Sequence, residues 1–363
     1  MGTDVPLLIG VALASGLDGT SVLVMFGVMQ ILTGVAYRLP MPVQPLKAMA
    51  AIVIAQQTPA ATLYGAGLAI GVVMLILAAT GMLDWLARVI PKCVVRGVQF
   101  GLGLQLANVA LGRFVQSDGT GGYLLALAAF LIVIVLLGNR RFPAAIPVVV
   151  LGVVYALVFR LDVASLPARI AFHLPQLYIP QNADIVTGFL VLALPQIPLS
   201  LGNSVLATKQ MTSDLFPERQ LSVRRIGVTY ALMNLINPWF GGIPVCHGSG
   251  GMAGHYAFGG RTGGSVIIYG VLFLTLGLFF GEGFDLLTTA FPLPMLGVLL
   301  LFEAIALIWL LRDVAPARRE FPIAILVGLL AVSVPYGYVV GLVVGTTLAH
   351  LGERVRLVSP DIR

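Results

Sequence analysis

Apolar residues run along this chain in long unbroken blocks, without the two-residue alternation of a half-buried strand, and Pro, Gly and Arg-bearing links interrupt them at short intervals. Fourteen apolar elements follow, at about 5–16, 19–37, 43–57, 61–80, 92–111, 122–138, 143–159, 184–203, 223–240, 244–258, 263–281, 285–310, 321–334 and 336–351. The first, third, tenth and last two fall short of the ~20 residues that a full helical span of a bilayer needs. A membrane barrel would instead show segments of about ten alternating residues. The pattern therefore predicts an all-α polytopic membrane protein.

Composition agrees, since the 363 residues are 58% hydrophobic and 10% charged, with mean hydropathy +0.99. So few charges cannot cover so much apolar surface in water. The net charge of +6 does not point to nucleic acid, because the basic residues are dispersed among the links and not gathered on one face. Two cysteines, Cys93 and Cys246, make no disulfide framework or zinc-site spacing. The start, "MGTDVPLLIG", lacks the basic region and cleavage site of a secretory signal.

Lys and Arg orient the elements. With the N-terminus cytoplasmic, the links after even-numbered elements and the tail hold seventeen of the 21 basic residues, and the other side holds Arg113, Arg160 and Arg169. That bias is what the positive-inside rule demands, and one span more or fewer would scramble it. Both termini are expected in the cytoplasm of a cell (inner) membrane protein.

"MPVQPLKAMA" at 41–50 and "IPVCHGSGGMA" at 243–253 align through Pro42 with Pro244 and Val43 with Val245, an offset of 202. Pro91 and Pro292, at the heads of elements 5 and 12, lie 201 apart. A seven-plus-seven duplication follows, with repeats at 1–160 and 161–363. Seven being odd, the second copy enters from the opposite face, as in the inverted repeats of secondary transporters.

Elements 3 and 10 then share a design, an extended Pro-containing entry followed by a half-helix. Prolines 40, 42 and 45 keep their predecessors out of helical geometry, so the first half-helix begins near Pro45; glycines 248, 250 and 251 loosen the second. Two helix N-termini meeting in mid-membrane offer free amides and positive dipole ends, which suits an anion. Lys47 falls in the first turn of one, and an intramembrane cation costs at least ~2.5 kcal/mol on insertion scales. Gln44, Cys246, His247, Gly248 and Ser249 surround the two starts; Gln196 and Asn203, in the Pro-broken "LPQIPLSLGNSVLAT", are expected to line the same cavity.

Structural alternatives remain open. "PMPVQP" could be an interfacial loop whose Lys47 snorkels to head groups. The glycines of 241–254 could serve helix packing, and Gln196 and Asn203 could be interhelical hydrogen-bonding groups. His247 and His255 read as hydrogen-bonded packing residues, since no ligand cluster accompanies them. Glu303, the most deeply placed acid, reads either as a proton-coupling group or as a neutral buried carboxyl.

"PMPVQPLKAMA", "LPQIPLSLGNSVLAT" and "FGGIPVCHGSGGMAGHYAFGGRTGG" closely resemble the signature segments of the molybdate transporter family, within the sulfate permease superfamily, and the similarity spans essentially the whole chain. The resemblance implies the fourteen-segment inverted-repeat fold of sulfate and uracil permeases, with core and gate domains, carrying a tetrahedral oxyanion such as molybdate. It implies a substrate-lining role for Gln44, Lys47, Gln196, Asn203 and Cys246 to Ser249. Only about a dozen residues follow the last element, so no soluble regulatory domain is expected. Element 1 is much shorter than element 8, which suggests a late start and an incomplete first helix.

Secondary transport of molybdate is thus the leading expectation, with sulfate its nearest rival. Nucleobase–proton symport fits less well because element 8 offers no carboxylate to bind a base, and an anion channel of the same fold stays open. An enzyme would need a catalytic set that the chain lacks, and no P-loop appears. The expected partners are the oxyanion and the bilayer, with a coupling proton and a homodimer as open additions; no cofactor, metal or nucleic acid is expected.

Overall fold

The computed structural model describes residues 4–83, 85, 89–137, 144–162 and 170–351. Within them the apolar blocks form fourteen helices of nine residues or more: α1 (Asp4–Ser15), α2 (Gly19–Tyr37), α3 (Lys47–Gln56), α4 (Ala60–Thr80), α5 (Lys92–Phe114), α6 (Gly119–Leu136), α7 (Ala145–Phe159), α8 (Asn182–Leu215), α9 (Val223–Ile236), α10 (Ser249–Ala257), α11 (Gly264–Ala290), α12 (Leu293–Trp309), α13 (Glu320–Ser333) and α14 (Gly337–Leu351). Seven of them, α2, α4, α5, α6, α8, α11 and α12, are long and apolar enough to cross a bilayer unaided. The loop and tail residues Arg88, Arg140, Arg141, Arg169, Arg354, Arg356 and Arg363, which helped to orient the chain, lie outside the described residues.

Three boundaries differ from the sequence reading. Helix α8 continues to Leu215 through the polar stretch "ATKQMTSDL", because a helix need not stop where hydropathy stops. The glycines at 281 and 283 do not end element 11; the helix kinks at Phe280 (φ −137°) and continues to Ala290. Helix α12 starts only after Pro292, just as α5 starts after Pro91, both prolines standing at the N-cap with extended ψ. Pro91 and Pro292 therefore stand at the same place relative to their helices.

The extended entries to α3 and α10 are not separate loops. They are strands β1 (Val43–Pro45) and β2 (Val245–His247), paired antiparallel with Val43 opposite His247, Gln44 opposite Cys246 and Pro45 opposite Val245. Each strand feeds the N-terminus of its own short helix, so α3 and α10 leave the ribbon from opposite ends. At 1.5 Å per residue α3 is about 15 Å long, half the thickness of a bilayer core.

The helices divide into the core and gate of the inverted seven-plus-seven fold. In the core, α2 runs along α11, and α4 lies against α8 and α9; in the gate, α5 packs on α12 and α13, and α13 on α14. The α2–α11 seam is built on glycine: a Cβ on Gly263 would stand 2.0 Å from the Gly34 carbonyl, and Gly270 and Gly27 make a similar backbone contact. Such seams let helices approach where lipid offers no hydrophobic drive to associate. Leu124, Leu131 and Val135 on α6 and Val150 and Val158 on α7 stay exposed, as lipid-facing residues should.

Candidate functional site

The ribbon at membrane depth has its polar groups satisfied by side chains from flanking helices. Gln30 of α2 clips Val43 of β1, with Nε2 donating to the carbonyl at 2.7 Å and the Val43 amide donating to Oε1 at 2.9 Å. Asn234 of α9 clips Val245 of β2 in the same way, at 2.6 and 2.9 Å. One turn along each helix, Thr33 donates to the Met41 carbonyl and Asn237 to the Ile243 carbonyl, both at 3.0 Å. Gln30 and Thr33 thus correspond to Asn234 and Asn237 in the second repeat. Irregular backbone survives inside a membrane only where protein or a wet cavity satisfies it, and these four buried side chains do so here.

Lys47 is the first residue of α3 and Ser249 the first of α10, so the pair aligned by sequence occupies equivalent places. Their amide environments differ. The Ala48 and Met49 amides of α3 donate to Oε1 of Gln196 at 2.9 and 3.2 Å, and the Leu46 amide donates to Pro244 O at 3.2 Å. Gln196 is in turn fixed by donating to Ser200 Oγ at 3.0 Å, which bonds Tyr230 OH at 2.7 Å. Two amides of the α3 terminus that were expected to face an anion are therefore capped by α8. What α3 presents to the cavity is Lys47.

At α10 two glycines, Gly248 and Gly251, have a specific reason. An ideal Cβ on Gly248 would lie 1.8 Å from Gln44 Oε1, and one on Gly251 would lie 2.7 Å from Pro42 Cγ and 3.1 Å from Gln44 Nε2. Gly248 has φ −113°, a value open to any residue, so the reading that glycine loosens the backbone is replaced by one of space. The carboxamide of Gln44 lies across the start of α10. Arg261 steadies the other end, donating from Nη1 to Tyr256 O at 2.5 Å with its guanidinium 3.5 Å above the Tyr256 ring.

A cavity of about 1020 Å³ opens over both helix starts. Gln44, Lys47, Gln196, Asn203, Cys246, His247, Gly248 and Ser249 all line it, so the residues expected to line the substrate site come to one place. Their contributions are unequal. His247 is fully buried, its Nε2 2.7 Å from Thr229 Oγ1, which lies 2.5 Å from Tyr37 OH. Tyr37 also meets the His247 ring edge-on at 5.4 Å. His247 thereby pins β2 to α2 and α9. Asn203 is exposed in a π-helical turn, Ser200–Leu206, just after Pro198, which denies the Leu194 carbonyl its helical donor.

Sequence reading missed the clips Gln30 and Asn234, the Thr229–Tyr37 pair, and the wall of Phe258, Ile268, Tyr269 and Leu272. A lone amide in an apolar helix was the available signal for the clips. Glu303 of α12 lies behind the lining, with Oε2 4.0 Å from Lys47 Nζ. Lys47 therefore has a carboxylate beside it and not a purely apolar wall. Among the described residues no group of three or more His, Cys, Asp or Glu could hold a metal ion.

Comparison with known proteins bears on this arrangement. The family described as "Molybdate transporter of MFS superfamily" matches residues 1–106 and 188–307, which include both half-helices and α8. Molybdate transporter 2 of Arabidopsis thaliana is 35% identical, over 88% of this chain and 79% of its own length; Molybdate transporter 1 of the same plant is 33% identical, over 86% and 78%. Molybdate transporter 1 of Chlamydomonas reinhardtii is 27% identical, over 94% and 88%. Among solved structures, the transmembrane domain of the cyanobacterial bicarbonate transporter BicA superposes with TM-score 0.67 at 20% identity, covering 95% of this chain and 93% of that one. SLC26A9 gives 0.72 at 12% identity, with 96% of this chain matched to 63% of its own. The family description names a superfamily whose fold is two six-helix halves, whereas this backbone has the seven-plus-seven inverted repeat of the BicA and SLC26A9 folds. By the extent of the family match and the identity to its relatives, this chain belongs to the molybdate transporter family.

Proposed function

We propose that this protein is a secondary-active carrier of a tetrahedral oxyanion, molybdate first, and that the cavity over β1–α3, β2–α10 and α8 is where the anion binds. The observation that carries the reading is the convergence of two repeat-related helix starts, Lys47 and Ser249, on one cavity. Lys47 supplies the full positive charge; the first turn of α10 supplies main-chain donors and its dipole; Gln44, Asn203 and Ser249 add neutral hydrogen-bonding groups. Gln196 and His247 hold the half-helices in place. Ile146 of α7, which packs on α12 of the gate, also lines the cavity, so in this reading the site lies where core meets gate, and movement of one against the other would expose it alternately to the two sides.

In this reading the repeats divide near residue 160, both termini are cytoplasmic, and the host is the cell membrane. The positive-inside distribution supports the orientation. Sulfate is the second reading, because it shares shape and charge with molybdate and the cavity is far larger than either. The test is uptake into proteoliposomes, with molybdate, tungstate and sulfate in competition, with and without an inward proton gradient. Molybdate uptake that Lys47→Ala abolishes supports substrate and site together. Uracil uptake, or an unaffected variant, contradicts them.

A further inference from the structure

Lys47 and Glu303 lie on the two parts that move against each other in the proposed mechanism: the lysine opens α3 in the core, and the glutamate sits mid-way along α12 in the gate. Their 4.0 Å separation makes an ion pair that ties one to the other at membrane depth. The lysine side chain is 42% exposed and lines the cavity, whereas the glutamate side chain is 15% exposed and lies behind it. An ammonium in the first turn of a helix also opposes the helix dipole, so a carboxylate beside it has an electrostatic role in the empty site.

Resting on the proposed anion site, we infer that Glu303 is the resident counterion of Lys47: an entering oxyanion competes with it for the ammonium, and binding loosens this tie between core and gate. The chemistry supports it, because a dianion in the cavity and the Glu303 carboxylate draw on the same positive charge and repel each other. A site occupied by its own anion is specific as well, since only a substrate of higher charge or better hydrogen bonding displaces the carboxylate. Glu303 is here a positioning residue that acts through Lys47, and the carboxylate need not touch substrate.

The test is equilibrium binding of molybdate to the purified full chain, read by calorimetry and by thermal stabilisation. Glu303→Gln keeps the shape and removes the competing charge, so Kd falls by about two- to fivefold, the range expected for a partly exposed ion pair. In a Lys47→Ala background, where binding is lost, the same change does not restore it. A merely structural pair gives the opposite sign, with stability and affinity falling together. Should Glu303→Gln fold poorly, Glu303→Asp, which lengthens the pair, tightens binding by a smaller factor. Unchanged or weaker binding in a folded Glu303 variant, with Lys47→Ala still abolishing binding, overturns the counterion and leaves the site intact. Undiminished binding by Lys47→Ala overturns the site itself.

Discussion

Asn234 holds both backbone polar groups of Val245, the carbonyl at 2.6 Å and the amide at 2.9 Å, and this one contact fixes where the second strand of the ribbon lies. Its repeat mate, Gln30 on Val43, does the same for the first strand. Asn234→Leu strands two buried groups at a cost of about 1–3 kcal/mol each. The expected result is a lower melting temperature with loss of molybdate uptake, and Gln30→Leu should behave alike. A variant with unchanged melting and transport would show that the ribbon stands without its clips.

Glycine 248 should be intolerant where glycine 254 is not. An added methyl at 248 meets Gln44 Oε1 at 1.8 Å, whereas at 254 it meets nothing within 4 Å. Gly248→Ala must push Gln44 off the start of α10, so binding of molybdate is expected to fall at least about tenfold, the equivalent of roughly 1.4 kcal/mol. Gly254→Ala is expected to fold normally and to gain a few tenths of a kcal/mol in helix stability, up to the ~1 kcal/mol of the propensity difference. Binding and melting curves on the two proteins check this.

Gln196 separates folding from binding. Its Oε1 caps two amides of α3, so Gln196→Ala should cost about 1 kcal/mol, as loss of a helix cap does. Gln196→Glu keeps an acceptor there and adds a charge that suits the helix dipole but opposes the anion. Its melting temperature should match the parent, while affinity drops on the order of tenfold or more. Equal affinity in Gln196→Glu would place the anion away from α3.

Much of this architecture was legible in the sequence because lipid imposes long apolar blocks, and because a duplicated chain repeats its own landmarks. Pro42 with Pro244, and Pro91 with Pro292, located the equivalent helices to within a residue or two. The ribbon was not legible: three-residue strands carry no periodicity, and their partners lie some 200 positions away in the chain. The division between elements 11 and 12, at 282–284, falls inside a helix that kinks at Phe280 and runs on to Ala290, stopping only before Pro292. At the site, residue types were legible and their division of labour was not. Gln196 caps a helix, Gln44 lies over another, and Lys47 shares its charge with Glu303, and each depends on contacts between distant segments.

The bound position of the anion is the most direct test of the account. Tungstate soaked into crystals of the full chain can be located by its anomalous scattering. The predicted peak lies in the cavity, with the Lys47 ammonium and the first-turn amides of α10 as its nearest positive groups. A single strong peak elsewhere in the protein, with Lys47 still directed at Glu303 and the cavity empty, would contradict it.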